Sequence, residues 1–362
     1  MNISLGEAFE SRANNLNLLR LLAALSVIYG HATAITGKGP NDVFLQYIGY
    51  KFIGGVAVDI FFVISGFLIA RSVCGPSNIT YFISSRLLRI YPGLIACIAL
   101  SVFIVGPLLS TDTSYWGSSQ TWKYLLLNGF AISTEYSLPG TFIFNHNKAF
   151  NGSLWSIAVE IRLYVFTLVL YMLGVFKFRL VFNGLFFLTI IIIYHYTQYF
   201  EWFYVLEYEN HRHVSLMFMI GVFSYINRDK VQLNWIFLLT LLIISWSQLY
   251  QPTFGYTYTF VLPYLVFVLC FAPWGQWYNN CGDYSYGVYL YGWPCQQIVY
   301  NSNSGISNFE HALYASFLAL CCAFLSWHVI EKPMLKLKKH TGEVVYLFAY
   351  LDRFRAKERG VK

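Results

Sequence analysis

The residues of this chain best suited to chemistry begin with an arginine and a histidine in one apolar stretch. Arg20 and His31 stand eleven positions apart. On a helix, eleven steps make three turns plus about 20°, so both side chains point the same way, about 16 Å apart along the axis. Ionisable groups inside apolar stretches are costly, which makes each a functional candidate. Asp59, Glu160 and Arg162 lie in two further such stretches. Counting residues from the stretch ends puts them roughly 10–14 Å below the surface nearest His31, within a turn or so of its depth. A desolvated imidazole beside a carboxylate is the usual general-base arrangement, because the carboxylate fixes the tautomer and stabilises the imidazolium. His31, Glu160 and Asp59 are therefore expected to form the catalytic group.

A second group gathers toward the opposite surface: Arg20, Arg71, Arg86 and Arg89. Arg86 and Arg89 are three apart, hence on one helical face, and are expected at the start of a span. A cation there is on the unfavourable end of the helix dipole unless an anion joins it. Backbone N–H groups and guanidinium forks together suit a phosphate. The pattern points to a phosphorylated ligand entering from one side, its reactive end reaching toward His31.

The elements that must hold these residues are legible from composition. Of 362 residues, 57% are hydrophobic and only 11% charged, against about 25% charged in ordinary soluble domains. So few charges could not cover a water-exposed surface, so the chain reads as an all-α polytopic membrane protein. A crossing helix needs about 20 apolar residues, and ten stretches qualify: 16–36, 50–72, 86–109, 153–176, 180–197, 213–227, 231–249, 255–273, 284–301 and 309–330. With the N-terminus inside, inner loops and tail hold seventeen Lys and Arg against five outside, the asymmetry that cytoplasmic loops carry. About ten transmembrane helices with both termini cytoplasmic are expected. Residues 1–15 would form a cytoplasmic segment, 16–335 the membrane domain, and 336–362 a basic tail whose apolar residues suit an interfacial helix on anionic lipid. The apolar run after Arg20 is expected to stay in the protein, since Glu7 and Glu10 precede it and its charge lies too far in for a secretory signal. The long outer connection, 110–152, is expected to let Trp122–Ile132 dip into the membrane surface.

Each candidate also has a plainer reading. His31 could be a buried histidine bonded to a helix carbonyl, and the arginines could reflect topology alone. Glu160 and Arg162 could pair with each other, and Asp59 could make a structural hydrogen bond. His211 and His213, with Glu207 and Glu209, are expected in an outer loop as a solvated rim; no metal is expected. His146 and Glu135 are weaker candidates for touching an acceptor. The aromatic group Tyr284, Tyr286, Tyr289, Tyr291 and Trp293 suits packing or an interfacial belt, and equally sugar rings. The seven cysteines form neither a disulfide framework nor a metal spacing and leave the redox compartment open.

Six motifs occur in order: Arg20-x10-His31, GGVAVDIFFVISGFLIARS at 54–72, SSRLLRIYP at 84–92, GSLWSIAVEIRLY at 152–164, YSYGVYLYGWP at 284–294 and HVIEKPML at 328–335. Together they resemble the acyltransferase-3 family of bacterial transmembrane acyltransferases, over about residues 12–337. The resemblance implies a ten-span helical fold in the bacterial inner membrane. It also implies transfer of an acyl group, usually acetyl, from cytoplasmic acetyl-CoA to a sugar hydroxyl of a cell-surface polysaccharide or its lipid-linked precursor. By position, His31 would be catalytic with Arg20 completing its motif. Arg86 and Arg89 would match the donor-linked basic motif, with Arg71 a weaker companion, and Glu160 the acidic residue of the tryptophan-serine motif. Trp155, Arg162, Tyr286, Tyr289 and Trp293 are the candidates for substrate contact. Two departures stand out. Ile161 and Arg162 follow Glu160 where many members have a second Glu or Gln, and Gly292 precedes Trp293-Pro294 where others carry His. A role for a second histidine there is therefore in doubt. No fused soluble domain is expected.

A secondary transporter or lipid-linked glycan flippase is the rival reading, with the His–Asp–Glu layer as a proton relay; no repeated halves favour it. Membrane lipids and the two substrates are the expected partners, with no nucleic acid, and a homo-oligomer is compatible with the sequence. The acceptor sugar, its hydroxyl, the identity of the acyl group, and the choice between direct transfer and an acetyl-histidine intermediate stay open.

Overall fold

The computed structural model describes residues 2–338 apart from Arg12, Pro40, Asn41, Pro76, Ser77, Thr197, Gln198 and 200–203. Ten long helices carry it: α1 Leu16–Thr36, α2 Ile53–Cys74, α3 Ile79–Leu100, α4 Trp155–Met172, α5 Arg179–His195, α6 Glu209–Ile226, α7 Trp235–Ser247, α8 Phe254–Phe271, α9 Ser285–Ser302 and α10 Asn308–Ser326. Six reach the length and apolarity that crossing a membrane requires: α1, α2, α3 as it continues to Leu109, α4, α8, and α10 as it continues to Lys336. The α5 and α7 helices are apolar but shorter. Each of the ten expected stretches thus coincides with a helix, and six of them qualify as spans by length and composition.

Lipid explains the surface. Ile236, Ile243 and Phe317 are 76%, 69% and 69% exposed, an arrangement that is costly in water and ordinary against hydrocarbon. Helices suit this setting because each satisfies its own backbone donors and acceptors. The centre is α2, 72% covered along its apolar window against 22% for α10. It packs most extensively on α6 and also on α1, while α9 closes against α1 and α10.

Helix approach at the centre depends on glycine. A Cβ on Gly66 of α2 would run into the Phe218 carbonyl of α6, and one on Gly30 of α1 would meet the Gly54 backbone of α2. Small residues let helix backbones approach this closely in a membrane bundle. The second contact lies one residue before His31 and sets how near α1 and α2 come there.

The N-terminal segment is docked. Asn2–Ser4 pairs antiparallel with Gln232–Asn234. Ser4 and Glu7 then form a reciprocal cap on the helix Leu5–Glu10, whose Leu5 is fully buried. The long connection 110–152 holds a helix, Ser119–Gly129, with Trp122 and Leu126 exposed. All seven cysteines are free thiols. The expected interfacial helix of the tail lies outside the described residues.

Candidate active site

Arg20 owes its position to the start of α1. The fully buried Asn15 donates from Nδ2 to the carbonyls of Leu269 and Ala272 at 2.9 and 2.6 Å, and its Oδ1 accepts from the Gly275 N–H at 3.0 Å. These bonds tie the start of α1 to the end of α8. One turn on, Arg20 Nη1 donates to Asp283 Oδ2 at 2.7 Å, and Arg89 Nη2 donates to the same oxygen at 2.5 Å. Burial would push the Asp283 carboxyl up, but the two guanidiniums and the Ser285 hydroxyl outweigh it and hold the group down at about 2. Arg89 Nη1 also lies 3.6 Å from Glu331 Oε2, and its guanidinium sits 5.6 Å from the centre of the Tyr286 ring.

These groups surround a narrow inner pocket of about 100 Å³, lined by Arg20, Arg86, Arg89, Ser65, Glu160 and Tyr286 among others. Arg86 has no carboxylate within ion-pair distance among the described residues; its Nε reaches only its neighbour's Ser85 hydroxyl, at 3.4 Å. Lys338, just past the last helix, joins this cluster. Burial and the charges of Arg86 and Arg89 bring its ammonium down to about 8.

Three expectations about the basic group need correction. Arg86 and Arg89 are not at a helix start, because α3 begins at Ile79, where the Asn78 side chain caps it. Their surrounding N–H groups are spent within the helix, so any attraction for an anion comes from side chains. Arg20 and Arg89 already share a counter-ion, Asp283. Arg71 does not line the pocket: its guanidinium stacks 4.4 Å over the Phe9 ring and helps dock the N-terminal segment.

His31 occupies a different cavity. Its Nδ1 lies 2.7 Å from the Val27 carbonyl one turn back. A carbonyl can only accept, so Nδ1 carries the proton and Nε2 presents its lone pair. The ring packs edge-on against Phe52 and Trp293, at 5.1 and 4.9 Å between centroids. It lines a small chamber of about 110 Å³ and also an open cleft of about 870 Å³. Trp155, Gly152 and Asn210 line both, so the imidazole stands where chamber meets cleft. Trp293, Tyr136, Tyr208 and His211 continue the cleft wall.

The expected carboxylate beside His31 is not there. Asp59 is fully buried and accepts from Lys51 Nζ at 2.8 and 2.7 Å, from the Tyr258 hydroxyl at 2.6 Å, and pairs with His213 Nε2 at 3.1 Å. Glu160 Oε1 accepts from the Ser65 and Tyr164 hydroxyls, both at 2.6 Å, and faces the inner pocket. Depth counting says nothing of rotation about each helix axis, and rotation turns both carboxylates away. The expected role of Glu160 and Asp59 in orienting His31 is thus corrected: the Val27 carbonyl does that.

The substrate candidates divide as well. Trp155 and Trp293 line the His31 cavities. Tyr286 belongs to the inner pocket, its hydroxyl donating to the Ile90 carbonyl at 2.7 Å. Arg162 lines none of these cavities; it donates to the carbonyls of Ala158, Ala131 and Ile132, pinning the connection 110–152 to α4. Tyr289 joins the two halves: with Val58 it lines both the inner pocket and the His31 chamber, a common wall between arginines and imidazole. His211 and His213 sit in the first turn and a half of α6 rather than in a loop. His211 is buried and stacked on Trp155 at 5.3 Å. His146 is exposed over Gly37, and Glu135 accepts from Gln120 Nε2 at 3.5 Å. No group of three His, Cys, Asp or Glu among the described residues could hold a metal ion.

Asp283, Glu331, Lys51 and Lys338 escaped sequence reasoning. The first two adjoin or belong to recognisable motifs, YSYGVYLYGWP and HVIEKPML, and that was the available signal.

Comparison with known proteins adds an independent line. A sequence profile described as an acyltransferase domain matches residues 14–331. The chain is 27% identical over 342 residues to an O-acetyl transferase of Shigella phage Sf6, covering 90% of this chain and 96% of that one. It is 28% identical over 177 residues to nodulation protein 10 of Rhizobium leguminosarum bv. viciae, covering 42% of each chain. No solved structure matches.

Proposed function

The chain belongs to the acyltransferase-3 family and is a membrane acyltransferase, and we propose that it moves an acetyl group from cytoplasmic acetyl-CoA to a sugar hydroxyl of a cell-surface polysaccharide or its lipid-linked precursor. In this reading ten helices cross the bacterial inner membrane, with both termini in the cytoplasm. The observation that carries the proposal is the placement of His31: its imidazole opens both to a wide aromatic cleft and to a chamber that shares Val58 and Tyr289 with the arginine-lined pocket.

Acetyl-CoA would approach from the arginine side. Arg86, with Lys338 and the Asp283-bound Arg20 and Arg89, offers the charge that a phosphorylated donor needs. Glu160 Oε2 can accept amide N–H groups of the extended thioester arm. To reach His31 the arm must pass Tyr289. The acceptor enters through the cleft, where Trp155 and Trp293 offer flat faces to a sugar ring. His31 Nε2 takes the proton of the attacking hydroxyl, and the Val27 carbonyl holds the ring in the tautomer that can do so.

Labelled acetyl-CoA added to membranes bearing the chain tests this. Label in a base-labile ester on glycan supports the enzyme. Label that stays in the thioester contradicts it and favours the rival carrier.

A further inference from the structure

The chamber holds one cation opposite the imidazole that the transfer reading has not used. Besides His31, its lining side chains with polar atoms are Lys51, Ser153, Trp155, Asn210 and Tyr289, and of these only Lys51 carries a full charge. Lys51 sits at the entrance to α2, and its side chain is 17% exposed. Its methylenes run beside Gly55, where an added Cβ would fall 2.7 Å from Lys51 Cε. At the adjacent Gly54 an added Cβ would fall 3.3 Å from His31 Cε1. The two side chains therefore flank consecutive residues of one helix turn.

Asp59 fixes the ammonium. Both its oxygens accept from Lys51 Nζ, and Tyr258 and His213 bond Oδ2 as well, so the carboxylate cannot turn away. An ammonium has three donors; two go to Asp59, and the third has no partner among the described residues. The ion pair thus holds a hydrogen-bond donor fixed at the chamber wall, and a donor fixed in advance is what stabilises charge that develops during a reaction.

We propose that Lys51 is a catalytic residue that stabilises the oxyanion formed during acyl transfer, with Asp59 as its positioning residue. This rests on the acyl-transfer reading of the same site. The acceptor oxygen bonds to the thioester carbonyl carbon as His31 Nε2 takes the hydroxyl proton. The carbonyl π pair moves onto oxygen, and the free N–H of Lys51 donates to that oxyanion. Collapse restores the carbonyl and breaks the C–S bond, and the leaving thiolate takes the proton back from His31. The products are an ester and coenzyme A.

The test uses full-length variants in a strain of the source organism lacking the native copy. Its membranes supply the acceptor, labelled acetyl-CoA is the donor, and rates are normalised to protein that elutes as a single monodisperse species. Lys51→Met is expected to lower the maximal rate about 100-fold, the loss typical of one oxyanion donor, with the acetyl-CoA KM within twofold of native. Lys51→Arg is expected to keep at least about a tenth of the rate, since a cationic donor remains. The double variant K51M/D59N separates chemistry from charge balance, because it removes the orphaned carboxylate. A double variant as slow as K51M supports the proposal. Recovery of the native rate by the double variant, or a K51M rate within about threefold of native, overturns it. Absence of transfer by the native chain would instead overturn the acyl-transfer reading itself.

Discussion

The hydroxyls of Tyr289 and Ser156 lie 2.6 Å apart, and the Tyr289 hydroxyl also donates to the Ser153 carbonyl at 3.1 Å. These bonds hold the ring as part of the wall between the arginine pocket and the His31 chamber. Replacing Tyr289 with Ala is expected to join the two cavities and admit water to the thioester. Coenzyme A release without acceptor should rise several-fold over native, while the fold loses about 3–5 kcal/mol, as for other large aromatic truncations. Thiol release measured with and without acceptor, beside a thermal melt in detergent, checks both parts.

Asp283 is the shared counter-ion of Arg20 and Arg89. Asp283→Asn leaves the largely buried Arg20 guanidinium without a carboxylate and Arg89 with only the longer Glu331 contact, and a loss of about 3–5 kcal/mol is expected. The pH dependence follows from its depressed pKa. An unfolded aspartate titrates near about 3.9, so the native carboxylate's contribution is complete above that value. It is lost as pH falls from about 4 through the folded value of about 2. Melts of native and D283N protein should converge across that window and differ most above it.

Arg86 lines the inner pocket with no carboxylate in ion-pair range among the described residues. If it meets the donor's phosphates, Arg86→Gln should raise the acetyl-CoA KM by about 10-fold to 100-fold, the worth of a hydrogen bond to a charged group. The melting temperature should barely move. Arg89→Gln, by contrast, should affect both, because it breaks the Asp283 bridge. Initial rates over a range of acetyl-CoA concentrations check this.

Gly30 has no room for a methyl group: a Cβ there would meet the Gly54 backbone nitrogen and fall 2.9 Å from its Cα. Gly30→Ala should cost about 1–3 kcal/mol by overpacking. It should also lower the transfer rate, since the displaced residue precedes His31. A matched control, Gly129→Ala, meets nothing within 4 Å and should leave both unchanged.

How much of this was readable in advance follows from what a linear pattern encodes. Hydropathy marks helices, and each of the ten expected stretches coincides with one; six satisfy the requirements of a span. Depth follows from counting, so Asp59 and Glu160 were given a layer, but their rotation about the helix axis was invisible and both turn to other partners. The Asp283 bridge joins residues 263 and 194 positions apart, a separation that no local pattern reports. The third expected span starts at Arg86, but the seven residues before it include Ile79, Tyr81, Phe82 and Ile83 and extend the helix by two turns. Lys51 falls at the very start of the stretch 50–72, and no local pattern reports that the fold turns it onto Asp59. His31, Trp155 and Trp293, each named by its own motif, line one cleft in the structure.

His31 is the group on which the transfer mechanism depends, and its removal is the most direct test. Initial rates of labelled acetyl transfer to glycan would be compared for native protein and His31→Gln, which keeps a polar side chain of similar reach. The expected result is a fall of at least about 100-fold, in the range for loss of a general base, with the acetyl-CoA KM within twofold. The native rate should also decline as pH falls, because an imidazolium cannot accept the hydroxyl proton. A His31→Gln rate within twofold of native would contradict the mechanism.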